Sequence, residues 1–336
     1  MRKYLGLDAG GTKTFCLVGT EEGHVLGFGR AGAGNYEAHG VKAAETEIRR
    51  AIDAALGEAD VPLRELDGIG MGIAGADIPD DYEMLEAEVF TPLFGEKPRV
   101  FRNDSMAGLR GGTRDPFGIV IACGTGCVAA GVNRAGDETR VGGINEDFGD
   151  AVSGSSIGQE GLRAVWRHRD HIIEDTLLVE KFLERAGCAD EDELFYKMYK
   201  GELSYSDLEP MAPLVFDAAA EGDAVAADIL EWGGRYLAKM VNAVARRVDM
   251  TGDTFDVVMA GSVFKGNSPV LVDTMRTGIH RVCPRARLAM PIFEPVVGAL
   301  LLGMELDGTI SEQVYQQLAA SCDEAAERYK VRFRSE

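Results

Sequence analysis

The sequence lacks any apolar stretch long enough to cross a membrane as a helix. Residues 1–3 resemble the basic start of a signal peptide, but Asp8 interrupts the following apolar run far too early for one. Basic residues are also scarce, because 35 Lys and Arg stand against 55 Asp and Glu, a formal net charge of −20. This balance argues against nucleic acid or a membrane as the main partner, and the expected location is the cytoplasm.

Cysteine is sparse and scattered over the chain. The six positions are Cys16, Cys123, Cys127, Cys188, Cys283 and Cys322. This distribution favours reduced thiols over a disulfide framework. The pair Cys123 and Cys127 allows two interpretations, ligands of a metal or iron–sulfur cluster, or buried free thiols on either side of a turn. We favour the second, because no further Cys or His lies nearby in the sequence.

Glycine, by contrast, is abundant, and the first glycine-rich segment lies between two apolar runs. Residues 4–7 and 15–18 predict buried strands. Gly10 and Gly11 predict a turn between them, because they allow backbone angles that residues with a Cβ resist. Such a turn can direct several backbone N–H groups at an anion. The alternative is an ordinary hairpin with a glycine turn.

The polar residues of this turn favour a phosphate site. Thr12 adds a hydroxyl donor and Lys13 adds a positive charge. Asp8 lies where the first strand ends, and a carboxylate beside bound phosphates is the usual way to hold Mg²⁺. The segment from Asp8 to Lys13 is therefore a candidate site for the phosphates of a nucleotide and for its metal.

The second half of the chain repeats this opening. Residues 117–122, 128–132 and 139–141 predict three strands, and Gly124-Thr125-Gly126 forms the turn between the first two. Strand, glycine turn with threonine, strand, polar turn and strand follow one another as they do in residues 4–30. We interpret this order as an internal structural duplication. Two phosphate-binding hairpins, one in each domain, would then face each other across a cleft.

The length of 336 residues also predicts two domains. We expect an N-terminal domain over 1–115, and a C-terminal domain over 116–336 with helical insertions and last helices that can pack back on the first. After the opening strands, strand and helix alternate, with helices predicted over 38–56 and 81–94. This alternation predicts a mixed sheet covered by helices, and hence an α/β fold.

Four motifs occur in the order typical of the actin/hexokinase/Hsp70 superfamily: residues 8–14, Asn103-Asp104, Gly124-Thr125-Gly126 and residues 260–263. Within it, the chain resembles the BadF/BadG/BcrA/BcrD ATPase family, and most of all its N-acetylglucosamine kinase branch, from about residue 3 to about residue 304. The resemblance implies two ribonuclease-H-like domains around a central nucleotide cleft, which close on ATP and substrate. It also implies a homodimer.

The resemblance assigns roles on the nucleotide side. Asp8 resembles the aspartate associated with Mg²⁺. The positions that resemble contacts to ATP are Gly10, Gly11, Thr12, Lys13, Gly124, Thr125, Gly126, Ala219, Gly261 and Ser262. They comprise two phosphate loops, an adenosine loop and a residue that lines the nucleotide.

On the substrate side, Asp104 resembles the catalytic base and a sugar ligand. The other positions that resemble sugar contacts are Asn35, Gly75, Gly143, Ile144, Asn145 and Asp150. Two segments depart from the family pattern: Gly143-Ile144-Asn145 replaces Gly-Trp-Gly, and residues 149–153 replace Gly-Asp-Glu-Gly-Ser. Both departures lie on the substrate side, so they affect the substrate assignment more than the ATP assignment.

Each candidate also has a purely structural interpretation. Asp104 precedes a predicted helix and could be its N-cap. Asn35 and Asp150 could cap local turns. With all motifs present, we favour an ATP- and Mg²⁺-dependent kinase that acts on an amino sugar or related hexose, with Asp104 as base. The alternatives are an ATPase that activates a partner enzyme and a nucleotide-binding sensor without turnover.

Overall fold

The strands of the chain form two five-stranded sheets. A computed structural model describes residues 1–334. The first sheet contains β1 (Lys3–Ala9), β2 (Thr14–Thr20), β3 (Val25–Ala31), β4 (Gly68–Ile73) and β5 (Arg99–Asn103), in the spatial order β3-β2-β1-β4-β5. Strands β1 to β3 pair antiparallel, whereas β4 runs parallel to both β1 and β5. The predicted opening meander and mixed sheet are therefore confirmed.

The second sheet repeats the order of the first. It contains β6 (Gly118–Cys123), β7 (Cys127–Val132), β8 (Glu138–Gly142), β9 (Asp256–Ala260) and β10 (Arg287–Ala289), in the spatial order β10-β9-β6-β7-β8. In both sheets three consecutive strands lie side by side, and the two later strands extend the sheet beyond the first of them. This shared order agrees with the duplication predicted from the glycine turns.

Helices connect and cover these sheets. The α-helices of the described residues are α1 (Tyr36–His39), α2 (Val41–Ala59), α3 (Pro79–Leu85), α4 (Thr91–Phe94), α5 (Asp104–Gly112), α6 (Gly154–Arg169), α7 (Leu177–Ala186), α8 (Glu191–Tyr199), α9 (Tyr205–Leu208), α10 (Ala212–Ala220), α11 (Ala224–Arg247), α12 (Val270–His280), α13 (Pro295–Met304) and α14 (Glu312–Tyr329). A π-helical turn over Glu86–Phe90 joins α3 to α4, so the helix predicted over 81–94 is continuous. Among residues 1–334, no helix is both long and apolar enough to span a bilayer.

The chain packs as two compact units. The first unit contains Met1–Val120 and the chain from Ala289 onward, and the second contains Ile121–Leu288. The last helices, α13 and α14, therefore belong to the first unit. The domain limits predicted from the sequence, 1–115 and 116–336, stay a prediction.

Helices from opposite ends of the sequence cover the two faces of the first sheet. Leu5 lies in a buried cluster with Ile48 of α2. Tyr4, the preceding residue, lies in a second cluster with Leu300 of α13. Successive residues of a strand point to opposite faces, so β1 contributes to both clusters. The central position of β1 keeps its carboxyl end, which carries Asp8, in a fixed place.

The contact between α13 and α5 leaves no room for a side chain at Gly298, because a Cβ there would overlap the carbonyl oxygen of Ala107. We expect Gly298→Ala to lower the free energy of unfolding by about 1–3 kcal/mol, the usual cost of overpacking. Gly108→Ala in α5 is the matched control. A Cβ at Gly108 meets nothing within 4 Å, so this change should stabilise the helix by up to about 1 kcal/mol. Urea unfolding of both variants measures the difference, and equal stabilities would contradict this packing argument.

Candidate active site

The carboxyl ends of three parallel strands meet at one edge of the first sheet. Asp8 of β1 lies opposite Gly72 of β4, and Ile73 of β4 lies opposite Asn103 of β5. A Cβ at Gly72 would lie 3.3 Å from the Cα of Asp104, so β4 and the start of α5 approach closely. The structure therefore brings the predicted metal ligand and the predicted base to the same edge.

The N-cap of α5 is Asn103 and not Asp104. The Asn103 Oδ1 accepts a hydrogen bond of 3.1 Å from the backbone N–H of Ser105, and Asp104 is the first residue of the helix. The interpretation of Asp104 as a capping residue is therefore wrong. An acidic residue is favourable in the first turn of a helix, which is the positive end of the helix dipole.

The environment of Asp8 is rich in negative charge. Burial, and then the nearby carboxylates of Asp104 and Glu294, raise the pKa of Asp8 to about 7, although Lys13 acts in the opposite direction. Within residues 1–334, no cluster of three or more His, Cys, Asp or Glu side chains could hold a metal by itself. Mg²⁺ often uses one or two carboxylates with waters and phosphate oxygens, and Asp8 fits that role.

The first glycine turn is closed by backbone hydrogen bonds. The N–H of Gly10 donates to the carbonyl of Lys13 (3.0 Å), and the N–H of Gly34 donates to the carbonyl of Gly10 (3.0 Å). Neither Gly10 nor Gly11 has a left-handed φ, so the prediction that unusual backbone angles require glycine here is wrong. A Cβ at Gly11 would meet nothing within 4 Å, so glycine leaves open space beside the backbone. Gly11, Thr12 and Lys13 are exposed beside that space.

Besides Asp104, the first unit contains two predicted sugar ligands, which lie on connected segments. The Asn35 Oδ1 accepts a 2.8 Å hydrogen bond from the N–H of Glu37 and caps α1, so its predicted capping role is confirmed. Gly75 has a φ of 87°, and its carbonyl accepts a 2.8 Å hydrogen bond from the Tyr36 hydroxyl. This bond ties the helix that Asn35 caps to the loop that follows β4.

The second glycine turn lies at the start of α6. The N–H of Gly124 donates to the carbonyl of Gly126 (2.9 Å), and the N–H of Gly154 donates to the carbonyl of Gly124 (2.6 Å). A Cβ at Gly124 would lie 3.7 Å from the Ser262 Oγ. Ser262 therefore lies beside the turn. Thr125 and Gly126 are exposed on it.

A pocket of about 470 Å³ opens beside this turn, within the second unit. Of the predicted nucleotide contacts, Gly124, Thr125 and Ser262 line it. The sequence analysis missed most of the other lining residues, which are Gly154, Ser155, Glu209, Pro210, Ala212, Pro213, Phe216, Asp217, Val263, Lys265, Gly266 and Asn267. Ala219 lies further along α10 and is not part of the lining. The pocket is large enough for a nucleoside and is mostly apolar, as such sites are.

Two contacts shape the far side of this pocket. Gly266 has no room for a Cβ, because the ring of Phe216 lies directly against it. The Asn267 Nδ2 donates a 2.7 Å hydrogen bond to the Asp217 Oδ1. Gly261, the residue before Ser262, has a φ of 102° and packs against the backbone of Cys123. No local sequence pattern predicts the contacts of Phe216 with Gly266 and of Asp217 with Asn267, because fifty residues separate the partners in each pair.

The loop that follows β8 is held together by Asp150. Its carboxylate accepts hydrogen bonds from the N–H groups of Gly143 (3.0 Å) and Ile144 (2.8 Å). The Asn145 Oδ1 accepts a 2.9 Å bond from the N–H of Asp147 and caps a short 3₁₀ turn. The structural interpretation of Asp150 as a turn-capping residue is therefore confirmed. Ile144, which replaces the aromatic residue of the family pattern, is 57% exposed.

The two neighbouring cysteines flank the second glycine turn. Cys123 ends β6 and Cys127 begins β7, and both side chains are buried. A hydrogen bond with Cys123, together with burial, raises the pKa of the Cys127 thiol. This is the arrangement that the free-thiol interpretation predicts, and buried protonated thiols of this kind are unreactive.

Comparison with known sequences agrees with this site. Residues 5–303 match the sequence profile that describes the BadF/BadG/BcrA/BcrD ATPase family. The chain belongs to this family. It is 28% identical over 312 residues to an N-acetyl-D-glucosamine kinase of Dictyostelium discoideum, with 90% of this chain and 97% of the relative covered. It is 26% identical over 302 residues to an N-acetylmuramic acid/N-acetylglucosamine kinase of Clostridium acetobutylicum, with 90% and 98% covered. The predicted family is confirmed.

Solved structures confirm the predicted fold class. A Chromobacterium violaceum protein, described as a candidate N-acetylglucosamine kinase, has a TM-score of 0.65 at 24% identity, with 90% of this chain and 99% of that chain covered. A glucokinase of the ROK family from Streptomyces griseus, solved with glucose and AMPPNP, has a TM-score of 0.55 at 19% identity, with the same coverage. At these identities the likeness concerns the fold, which is the α/β fold of the actin/hexokinase type.

Proposed function

We propose that this protein is an ATP-dependent sugar kinase, which transfers the γ-phosphoryl group of ATP to a hydroxyl of an amino sugar or related hexose. The observation that carries the proposal is the position of Asp104. Asn103 caps α5 in its place, and Asp8 lies near the carboxyl end of β1, at the same edge of the sheet but separated from β5 by β4. Both curated relatives, which align with 90% of this chain, are named as kinases of N-acetylglucosamine.

In the proposed reaction, Asp104 accepts the proton of the attacking sugar hydroxyl. The hydroxyl oxygen forms a bond to the γ-phosphorus, and the bond from that phosphorus to the β–γ bridging oxygen breaks, which releases ADP. A positioned base typically contributes about 10²- to 10⁴-fold to the rate. Asn35, Gly75 and the loop from Gly143 to Asp150 are the proposed sugar-binding positions, including Ile144 and Asn145.

On the nucleotide side, the pocket of the second unit is the proposed site of the adenosine moiety. Its apolar lining suits a base and ribose, and the exposed turn Gly124-Thr125-Gly126 suits phosphate oxygens. Gly10 to Lys13, Gly261 and Ala219 are proposed as further or supporting contacts. When bound, Mg²⁺ would neutralise developing charge on the phosphates, and Asp8 would hold it.

Three further features of this protein remain proposals. Residues 1–115 and 116–336 would be its two domains. The active protein would be a homodimer, and it would work in the cytoplasm, where ATP is supplied.

The decisive experiment is an assay of the purified protein with ATP, Mg²⁺ and a panel of hexoses. We expect release of ADP that requires sugar, and a product whose mass exceeds that of the sugar by one phosphoryl group. ATP hydrolysis that is independent of every sugar would contradict the proposal and would favour an ATPase that activates a partner. Binding of ATP without turnover would favour a sensor. No observation on this chain favours either alternative.

The substrate-side departures predict relaxed sugar recognition. The side chain of Ala151 cannot form a hydrogen bond to a sugar. The carboxylate of Asp150 accepts hydrogen bonds from two N–H groups of its own loop. A site that hydrogen-bonds a group of the substrate strongly rejects analogues that lack this group. An apolar wall rejects an added methylene far less strongly. We therefore expect kcat/KM values for N-acetylglucosamine, glucosamine, glucose and N-acetylmannosamine that lie within about tenfold of one another, or a preference for one of the last three.

Ala151→Glu, which restores the acidic residue of the family pattern, is the informative variant. It should widen the differences in kcat/KM among the four sugars. A preference of the unmodified protein for N-acetylglucosamine over all three others by about 100-fold or more would show that the departures do not relax recognition.

A further inference from the structure

A buried amide links Asp77 to the start of α5. The Asn103 Nδ2 donates a 2.8 Å hydrogen bond to the Asp77 Oδ1. At its other end, the Asn103 Oδ1 accepts from the N–H of Ser105 at 3.1 Å and from the Ser105 hydroxyl. Only 7% of Asn103 is exposed, so its amide is fixed from both sides. Asp77 therefore holds one end of the side chain that caps α5, and Ser105 holds the other.

The Asp77 segment is itself held by a second carboxylate. The Asp81 Oδ2 accepts hydrogen bonds from the N–H groups of Asp77 (2.9 Å) and Ile78 (2.8 Å). Three residues before Ile78, the Gly75 carbonyl accepts from the Tyr36 hydroxyl. Burial, and then a hydrogen bond to Asp81, raise the pKa of Tyr36.

These contacts form one continuous network, which contains Tyr36, the segment 75–78, Asp81 and Asn103. One end lies beside Asn35, which caps the helix that contains Tyr36. The other end lies beside Asp104, which follows Asn103 directly. The network thus connects the proposed sugar ligand with the proposed base, although about seventy residues separate them in the sequence. Neither Asp77 nor Tyr36 was singled out by any sequence motif.

The backbone of Asp104 depends on this network because Asn103 sets the first turn of α5. Without the Asp77 carboxylate, the Asn103 amide loses the acceptor of its Nδ2 and can rotate. The start of α5 would then shift, and the carboxylate of Asp104 would move with it. A misplacement of about 1 Å can cost about 10²-fold in rate even when no reacting group is lost.

We propose that Asp77 is a positioning residue that fixes Asp104 through Asn103, and that Tyr36 fixes Asn35 through the 75–78 segment. This inference rests on the proposed function. The two ends of the network have separate kinetic consequences. Asp77 acts on the proton acceptor and so on kcat, whereas Tyr36 acts on the sugar ligand and so on the KM for sugar.

The first experiment compares Asp77→Ala, Asp77→Asn and Asp80→Ala. Asp77→Ala is expected to lower kcat by about 10- to 100-fold, as losses of supporting hydrogen bonds at active sites do. Asp77→Asn retains an oxygen that can accept from Asn103, so its kcat should stay within about threefold of the unmodified protein. Asp80 is exposed in the first turn of α3, three residues after Asp77, and Asp80→Ala should leave kcat unchanged. The Kd for a non-hydrolysable ATP analogue should not change in any of the three.

The second experiment tests the other end with Tyr36→Phe, which removes only the hydroxyl. We expect the KM for sugar to rise by about tenfold, the equivalent of one hydrogen bond, while kcat stays within about threefold. Tyr196→Phe is the control, because Tyr196 is exposed on α8 and no role is assigned to it.

Four outcomes separate the possibilities. An unchanged kcat in Asp77→Ala overturns the positioning role but not the proposed function. Equal losses in Asp77→Ala and Asp77→Asn also overturn it, because they would show that charge and not hydrogen bonding matters. A loss of kcat accompanied by a lower Tm and weaker binding of the ATP analogue would indicate a general structural defect and would overturn it as well. Absence of sugar-dependent ADP release by the unmodified protein would instead refute the proposed function, and the positioning role with it.

Discussion

Asp104→Asn is expected to lower kcat by about 10²- to 10⁴-fold, with little change in the Kd for ATP. The amide keeps the shape of the side chain and its place in the first turn of α5, but it cannot accept a proton. Asn103 supplies the cap of the helix, so the change removes no capping hydrogen bond. Steady-state kinetics with sugar and ATP measure kcat, and titration calorimetry with a non-hydrolysable ATP analogue measures the Kd.

Asp80→Asn is the matched control for this variant. Both changes replace a carboxylate by its amide in the first turn of a helix, but Asp80 is exposed on α3 and no role in the proposed chemistry is assigned to it. Its kcat should equal that of the unmodified protein. Near-normal turnover by Asp104→Asn would end the assignment of Asp104 as the base, whereas a loss in both variants would indicate a general effect of charge.

The second large effect is expected at the glycine turn of the second unit. Gly126→Val should weaken binding of an ATP analogue by about 10- to 100-fold, which corresponds to the 1–3 kcal/mol cost of crowding an occupied site. A Cβ at Gly126 meets no protein atom within 4 Å, so the folded chain itself has room for it. The added side chain would occupy the space that a phosphate needs. Titration calorimetry measures the affinity, and the Tm shows whether the fold is intact.

Gly252→Val provides the control for this change. Gly252 also lies in a turn of the second unit, has no left-handed φ and has open space where a Cβ would stand. It belongs neither to the second glycine turn nor to the lining of the pocket, so its substitution should not alter the affinity for nucleotide. Thr12→Ala, which removes a hydroxyl donor from the first turn, should weaken binding by a smaller factor. Unchanged affinity in both Gly126→Val and Thr12→Ala would show that the two turns do not bind phosphate.

Local sequence patterns predicted the strands and turns around the site. The apolar runs on either side of Gly10 and Gly124 have the period and length of buried strands, and the structure places strands there. The Asn103-Asp104 pair predicted a strand-to-helix junction. Such features depend on a few consecutive residues, because backbone geometry and the alternation of side chains act over short distances. The repeated order of strands also revealed the duplication.

The reason for glycine was predicted incorrectly at the first turn, where Gly10 and Gly11 were expected to adopt unusual backbone angles. Gly10, Gly11, Gly124 and Gly126 adopt no left-handed φ, and at Gly11 and Gly126 the protein leaves open space. Whether a glycine is needed for its φ, for close packing or for access to a ligand depends on atoms that are distant in the sequence. Only the three-dimensional surroundings distinguish these cases.

By itself, the sequence determined the strand–turn–strand hairpins, the strand-to-helix junction at Asn103, the α/β class and the family. The sequence left open where the last helices pack, and the structure places the chain from Ala289 onward in the first unit. Only the structure shows that α10 and residues 262–267 line one pocket, and that Asp77 bonds to Asn103. The physical reason is the range of the interactions. Periodicity and turn preferences act between near neighbours in the sequence. The packing of β1 against α13, by contrast, joins segments that are almost three hundred residues apart. The contacts of the pocket and of Asp77 likewise join segments that no local pattern connects.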